Sequence, residues 1–304
     1  MKLIKPSFEI WNQPAGLEGV YKQIEKVGRV CYKSEDKITE NSAKPFVDRM
    51  IKSGHGAMLE HGTVYMFMPI GCDKHDYHVA WKYHKNKYSK VIIRNEHFLL
   101  NKNGYYITTN LRVLVENGCL DDLQYICEPT EYHERRITVK FVCDRGVSHE
   151  FVRHRVMSFA QESTRYCNYS KDKFGNELTF IKPCWLDIPT GHYAYWDGDW
   201  CDIDKMKIQL PEGEHKDIDA FLWTLNNAET HYTLLINSGW KPQEARAVLP
   251  NSLKTELVVT GFTSDWNHFF DLRARGTTGA PHPQAKELAE PLMKEFIARK
   301  YINN

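Results

Sequence analysis

Residues 149–170 read HEFVRHRVMSFAQESTRYCNYS, and no other stretch limits the fold of this chain so tightly. Arg153, Arg155 and Arg165 fall within thirteen positions, together with His154, Glu162, Ser163 and Thr164. Guanidinium groups this close repel one another, and their fixed forks of donors suit planar, doubly charged acceptors better than a core. Yet Phe151, Val152, Val156, Met157, Phe159 and Tyr166 are interleaved with the charges. The segment must therefore run along the margin of a core, where its cations need committed partners. An ordinary solvated basic face would not carry that apolar interleaving. Read as a strand, the alternation sets Arg153 and Arg155 on one face and His154 on the other, with Glu162, Ser163 and Arg165 after a short bend. The expected guest is a nucleotide.

A formal net charge of +1 over 304 residues gives no global electrostatic funnel for nucleic acid, so any basic site is local. The length allows one large domain or two small ones, with ample capacity for a core. Eight cysteines, at 31, 72, 119, 127, 143, 167, 184 and 201, include no Cys-x-x-Cys pair, and no apolar leader or membrane-length run opens the chain. A reducing cytoplasm without disulfides is expected. No glycine-rich dinucleotide fingerprint or Walker loop is present, so spacing alone stops at a local anion site able to hold a nucleotide.

Along the chain, Val20, Ile24, Val27 and Val30 recur at helical spacing, and a second helix is expected over 42–54 with Ser42 as cap and Gly54 as stop. AMLEHGTVYMFMPI reads as a strand after a loop bearing His55, Glu60 and His61. KVIIRNEHFLLNKNGYYITTN reads as strands joined by an Asn103-Gly104 turn, and LRVLVENGCLDDLQYI as one or two helices. ITVKFVC is a strand that turns near Asp144-Arg145-Gly146. Phe221, Leu222, Leu225, Tyr232, Leu235 and Ile236 trace a helical stripe, Arg246 lies in a short helix before Pro250, and TELVVTGF starts a strand–helix–loop–helix tail. His75, His78 and His84 have no spacing that makes a metal set, and Trp185, Trp196 and Trp200 read as surface aromatics.

Arg153-His154-Arg155, seven intervening residues and then Ser163, with Glu162 before it and Arg165-Tyr166 after, resembles the signature of the flavin-dependent thymidylate synthases. Gln161-Glu162 stands where that family usually has Asn-Glu, keeping an amide and the carboxylate. His55 followed by Glu60-His61 is similar to the family's His and Glu-His pair beside the cofactor, with Ala57 where a hydroxyl residue is common. Ala245-Arg246-Ala247-Val248-Leu249-Pro250 resembles an element that supplies a further nucleotide-binding arginine, and Leu272-Arg273 and His282-Pro283-Gln284 also fit. Phe262-Thr263-Ser264 stands where the family carries an Asn-x-Arg flavin contact. Residues 72–134 look like an insertion, because in shorter members the strand leading to Arg-His-Arg follows the Glu-His element closely.

The resemblance implies an α+β fold, a mixed or antiparallel sheet flanked by helices, as one catalytic domain over 1–304 with that insertion. It implies an enzyme that methylates dUMP to dTMP with FAD, NADPH and methylenetetrahydrofolate, in a homotetramer whose sites are shared between chains. Glu150, Arg153, Glu162, Ser163, Thr164, Arg165, Arg246 and Arg273 would bind dUMP, with Arg273 catalytic. His55, Glu60, Arg153, His154, Arg155, Val156, Glu162, His268, His282 and Gln284 would bind FAD, and no metal is implied. Ser163 is assigned to binding, since a nucleophile needs a base and a Glu162 engaged by arginines is a poor one. The alternative is a non-catalytic nucleotide- or RNA-binding module using the same arginines. Stoichiometric flavin, and mononucleotide affinity without steep salt dependence, separate the two.

Overall fold

Strand β6 (Arg136–Asp144, RITVKFVCD) has every residue buried except Lys140 and Val142, which requires cover on both faces. The computed structural model describes residues 1–70, 80–95, 103–196, 199–202 and 216–303. It sets β6 inside an antiparallel sheet between β2 (Ser7–Trp11) and β11 (Lys254–Phe262), with β7 (Ser158–Gln161) on the far edge of β11. β6 and β11 pair over their whole length, from Lys254 opposite Asp144 to Phe262 opposite Arg136. One face is covered by α8 (Thr263–Phe270) and α9 (Pro283–Ala298), through a core containing Phe141, Phe151, Trp266, Phe269, Phe270 and Phe296. The other receives α1 (Gly16–Tyr32), whose Val27 and Val30 meet Ala160 and Val258.

Two smaller sheets flank this one. β1 (Lys2–Ile4) pairs in parallel with β8 (Thr179–Ile181) and antiparallel with β9 (Gly191–Trp196), which pairs with β10 (Asp199–Asp202). The stripe of α6 (Lys216–Asn237), including Leu222, Leu225 and Tyr232, packs there. β3 (Thr63–Pro69), β5 (Gly104–Asn110) and β4 (Lys90–Arg94) form an antiparallel sheet sharing a core with α1 and α2 (Ala43–Lys52). The fold is α+β with mixed and antiparallel sheets, as expected. Among the described residues no helix is long and apolar enough to cross a membrane.

Several local readings change. Arg153-His154-Arg155 is a turn, not a strand: Asp144 Oδ1 accepts from the Val147 N–H at 2.8 Å and starts α5 (Arg145–Phe151), whose end passes into turn bonds from the Arg153 and His154 N–H groups. The strand begins only at Ser158, after Val156 takes a positive φ of 82°. Ser42 stands at the N-cap position of α2 as expected, but its side chain makes no cap bond; its Oγ donates to Glu25 Oε2 at 2.7 Å. Gly104 is no turn residue, since it pairs with both Pro69 and Arg94, and a Cβ there would stand 2.4 Å from the Phe67 ring. His75 and His78 lie outside the described residues, and His84 stacks on Trp81 at 5.3 Å.

Candidate functional site

The end of α5, the turn over 152–157, α8 and the segment after it enclose a cleft of ≈ 860 Å³. Glu150, Arg153, His154, Arg155, His268, Arg273 and His282 line it, so seven residues singled out from the sequence come together. Arg273 is fixed from three directions. Its Nη1 donates to Glu150 Oε2 at 2.5 Å, its Nη2 to the Glu150 carbonyl at 3.1 Å and its Nε to His154 Nε2 at 3.1 Å. Because His154 Nε2 accepts, that ring is neutral with its proton on Nδ1. Burial first, then the Arg273 charge and then His268, push the His154 pKa down to about 4.

Arg273 reaches these partners from a π-helical turn, Asp271–Arg275, that continues α8. Such a turn re-aims side chains relative to an α-helix and recurs at functional sites. It closes on Gly276 at φ 72°, where a Cβ would stand 3.0 Å from both the Gly279 carbonyl and Pro281 Cδ. Glycine there lets Thr278, Gly279, Ala280 and Pro281 line the cleft.

A second cluster lies at the other end of β7. Buried Glu162 accepts from Lys254 Nζ at 2.8 Å and from the Tyr169 hydroxyl at 3.0 Å. Its partner is thus a lysine rather than the arginines expected, because β11 delivers Lys254 beside it. Glu256, on the same face as Lys254, takes Lys254 at 2.9 Å, Lys33 at 2.8 Å and Lys140 at 2.7 Å. Burial pushes the Glu256 carboxyl up, but Lys254, Lys33 and the Lys140 hydrogen bond outweigh it and hold that carboxyl well below the usual range. Next to this, Arg246 Nη1 donates to Thr164 Oγ1 at 3.2 Å, and Arg165 lies exposed over the Tyr166 ring at 5.4 Å. Ser163 Oγ accepts from the Arg165 N–H at 3.3 Å.

The thymidylate synthase complementing protein family model matches residues 130–299, which include the cleft and this second cluster. The chain belongs to the flavin-dependent thymidylate synthase family. A flavin-dependent thymidylate synthase of Pyrococcus furiosus is 30% identical over 163 residues, 53% of each chain. One of Geobacter sulfurreducens is 27% identical over 129 residues, 42% of this chain and 43% of its own. The chain thus spans about half the length of the curated relatives it matches. A solved UMP/dUMP methylase, PolB from Streptomyces cacaoi bound with 5-Br dUMP, aligns over 98% of this chain and 93% of its own at 17% identity and a TM-score of 0.43.

The remaining residues that the family resemblance marked fall elsewhere. His55 is exposed ahead of α3 (Gly56–Leu59), and Glu60 pairs with Arg112 at 2.5 Å; neither lines the cleft. Gln284 turns inward and donates to Asp144 Oδ2 at 3.1 Å. Val156 is exposed in the turn. Ser264, in the segment that replaces the family's Asn-x-Arg, donates through its N–H and hydroxyl to Glu134 Oε1. Lys254, Glu256, Lys33 and Tyr169 were missed. The one signal for them was Lys254-x-Glu256 at strand period, two opposite charges on one face of an otherwise apolar strand.

Proposed function

We propose that this member of the family is an FAD-dependent thymidylate synthase that converts dUMP to dTMP, with methylenetetrahydrofolate as carbon donor and NADPH as reductant. The observation that carries the reading is Arg273, held by Glu150 and His154 at the wall of a cleft whose other cations, Arg153 and Arg155, are exposed and have no carboxylate partner among the described residues. Two unpaired guanidinium forks fit a pyrophosphate, and the rings of His268 and His282 fit a planar heterocycle, so the donor set suits FAD. The chemistry a bound flavin supplies is hydride transfer and relay of the one-carbon unit. The protein's part is orientation and charge: Arg273 stabilises negative charge developing on the N3–C4 side of the uracil, Arg165 and Arg246 hold the phosphate, and Ser163 binds rather than attacks.

β7 supports a shared site. Its four residues span roughly 13 Å, with Glu150, Arg153 and Arg273 beyond one end and Ser163, Arg165 and Arg246 beyond the other. One dUMP contacts both sets most readily when they come from two chains, as in a homotetramer with sites between subunits. The reading also takes 1–304 as one catalytic domain and 72–134 as an insertion peripheral to the chemistry. Anaerobic incubation with dUMP, methylenetetrahydrofolate, FAD and NADPH, followed by product identification, tests the reaction. The expected product is dTMP; a folded protein that takes up no flavin, makes no dTMP and binds RNA with steep salt dependence would overturn it.

A further inference from the structure

β2 stops at Trp11, opposite Thr138, and the chain turns away through Pro14 into α1, leaving a gap beside Arg136 and Ile137 at the start of β6. That gap is a separate cavity of ≈ 300 Å³, walled by the turn, by Thr63 and Tyr65 of β3, by residues 126–129 and by Tyr301. Its walls are pinned. Gln13 makes paired amide bonds with the Thr63 backbone, each 2.8 Å, and the Tyr65 hydroxyl accepts from the Arg136 N–H at 3.1 Å.

Four sources of positive potential stand in its lining. Arg136 lines the cavity at 8% exposure, and its guanidinium reaches only neutral oxygens: the Glu60 carbonyl at 2.9 Å, Thr63 Oγ1 at 3.3 Å and Ser158 Oγ at 3.1 Å. Its Nε has no acceptor among the described residues. Glu60 and Asp265 are the carboxylates in its field, and both are engaged elsewhere, Glu60 by Arg112 and Asp265 by the Phe262 N–H. Trp11, at 6% exposure, also lines the cavity, and its Nε1 is buried without an acceptor among the described residues. Finally, α1 is 17 residues long and starts here: Pro14, Ala15 and Gly16 are in the lining, and Ala15 at the cap position offers no side chain to the free N–H groups. Arg135 stands exposed in the same lining; Glu128, also exposed, is its one carboxylate.

A buried guanidinium without a counter-charge is costly, and a helix N-terminus beside unmet N–H donors is completed by an oxyanion. We propose that this cavity binds a small ligand through a carboxylate or phosphate group, held by Arg136, Arg135, Trp11 Nε1 and the first turn of α1. Through Arg136 the ligand is one hydrogen bond from Ser158, which opens β7 directly after the Arg-His-Arg turn.

The test is calorimetric titration of the full chain with inorganic phosphate and, separately, with acetate at constant ionic strength. Trp11→Phe keeps the ring and removes the N–H, Arg135→Gln removes the outer charge, and Arg246→Ala removes phosphate binding at the far end of β7. Saturable binding that survives Arg246→Ala and weakens roughly tenfold or more in both cavity variants is expected, since each loses a charge-assisted donor. Binding of phosphate alone identifies a phosphate-bearing ligand; binding of acetate admits carboxylates, and either supports the site. Arg136→Met is the direct variant, and the other two keep the test decisive if it does not fold. Binding unchanged in Trp11→Phe and Arg135→Gln, or wholly lost in Arg246→Ala, would overturn the proposal. No flavin or turnover is read, so the result is independent of the proposed reaction.

Discussion

Arg273 is held by Glu150 and His154, groups of the protein itself, so its orientation is set by the fold, the condition for charge that acts on a transition state. Arg273→Ala is expected to lower turnover by roughly 100- to 1000-fold with FAD and dUMP still bound. Arg273→Lys restores only part, because an ammonium cannot serve both partners in fork geometry. Single-turnover oxidation of reduced flavin with dUMP and methylenetetrahydrofolate checks both; wild-type rates in the ligand-saturated alanine variant would remove Arg273 from the active site. His154 sets an acid limit on the same contact, since a protonated ring would turn its acceptor nitrogen into a donor facing a guanidinium. Its folded pKa of about 4 lies below the ordinary 6.5, so the unfolded chain takes up the proton first. The stability due to the neutral ring is complete above about 6.5 and is lost as pH falls toward 4. Tm measured against pH should therefore drop more steeply in that window for the wild type than for His154→Gln, which accepts from Arg273 without titrating. Parallel curves would contradict the neutral, buried assignment.

Asp144 ties three elements together: it ends β6, caps α5 through the Val147 N–H, and accepts from Gln284 of α9. Asp144→Ala should cost roughly 1–3 kcal/mol, by losing the cap and stranding a buried amide. Urea denaturation reads this, and a change within about 0.5 kcal/mol would mean the cap is dispensable. The same residue shows why the sequence was legible in some places and not others. β6, β11 and α6 were readable because their apolar period is local and each buries what it repeats. The 152–157 turn was not, because His154 in and Arg153 and Arg155 out is the pattern of a strand and of this turn alike, and only the Asp144 cap bond tells them apart. Arg273 was found through a family motif, but the π-turn that aims it has no composition signal. Lys254 lies 92 residues from Glu162, and only the pairing of β7 with β11 joins them.

The whole chain carries its nucleotide-binding candidates at the two ends of one short strand, with Arg273 at one and Arg246 at the other. This arrangement accounts for an exposed surface of arginines without acidic partners in the same chain: Arg153, Arg155 and Arg165 have no carboxylate among the described residues. The proposed shared site is separable by genetics, because in it a chain lacking one end still offers the other to its neighbour. Arg246→Ala and Arg273→Ala are each expected to fold, to assemble and to be nearly inactive alone. Co-expressed, they are expected to form mixed oligomers in which some sites draw intact Arg273 from one chain and intact Arg246 from the next. Measuring dTMP formed by the co-purified mixture is the decisive experiment. A shared thymidylate-forming site predicts recovery to roughly a quarter of the wild-type rate by random pairing, whereas a mixture no more active than its two parents, beside an active wild type, would contradict it.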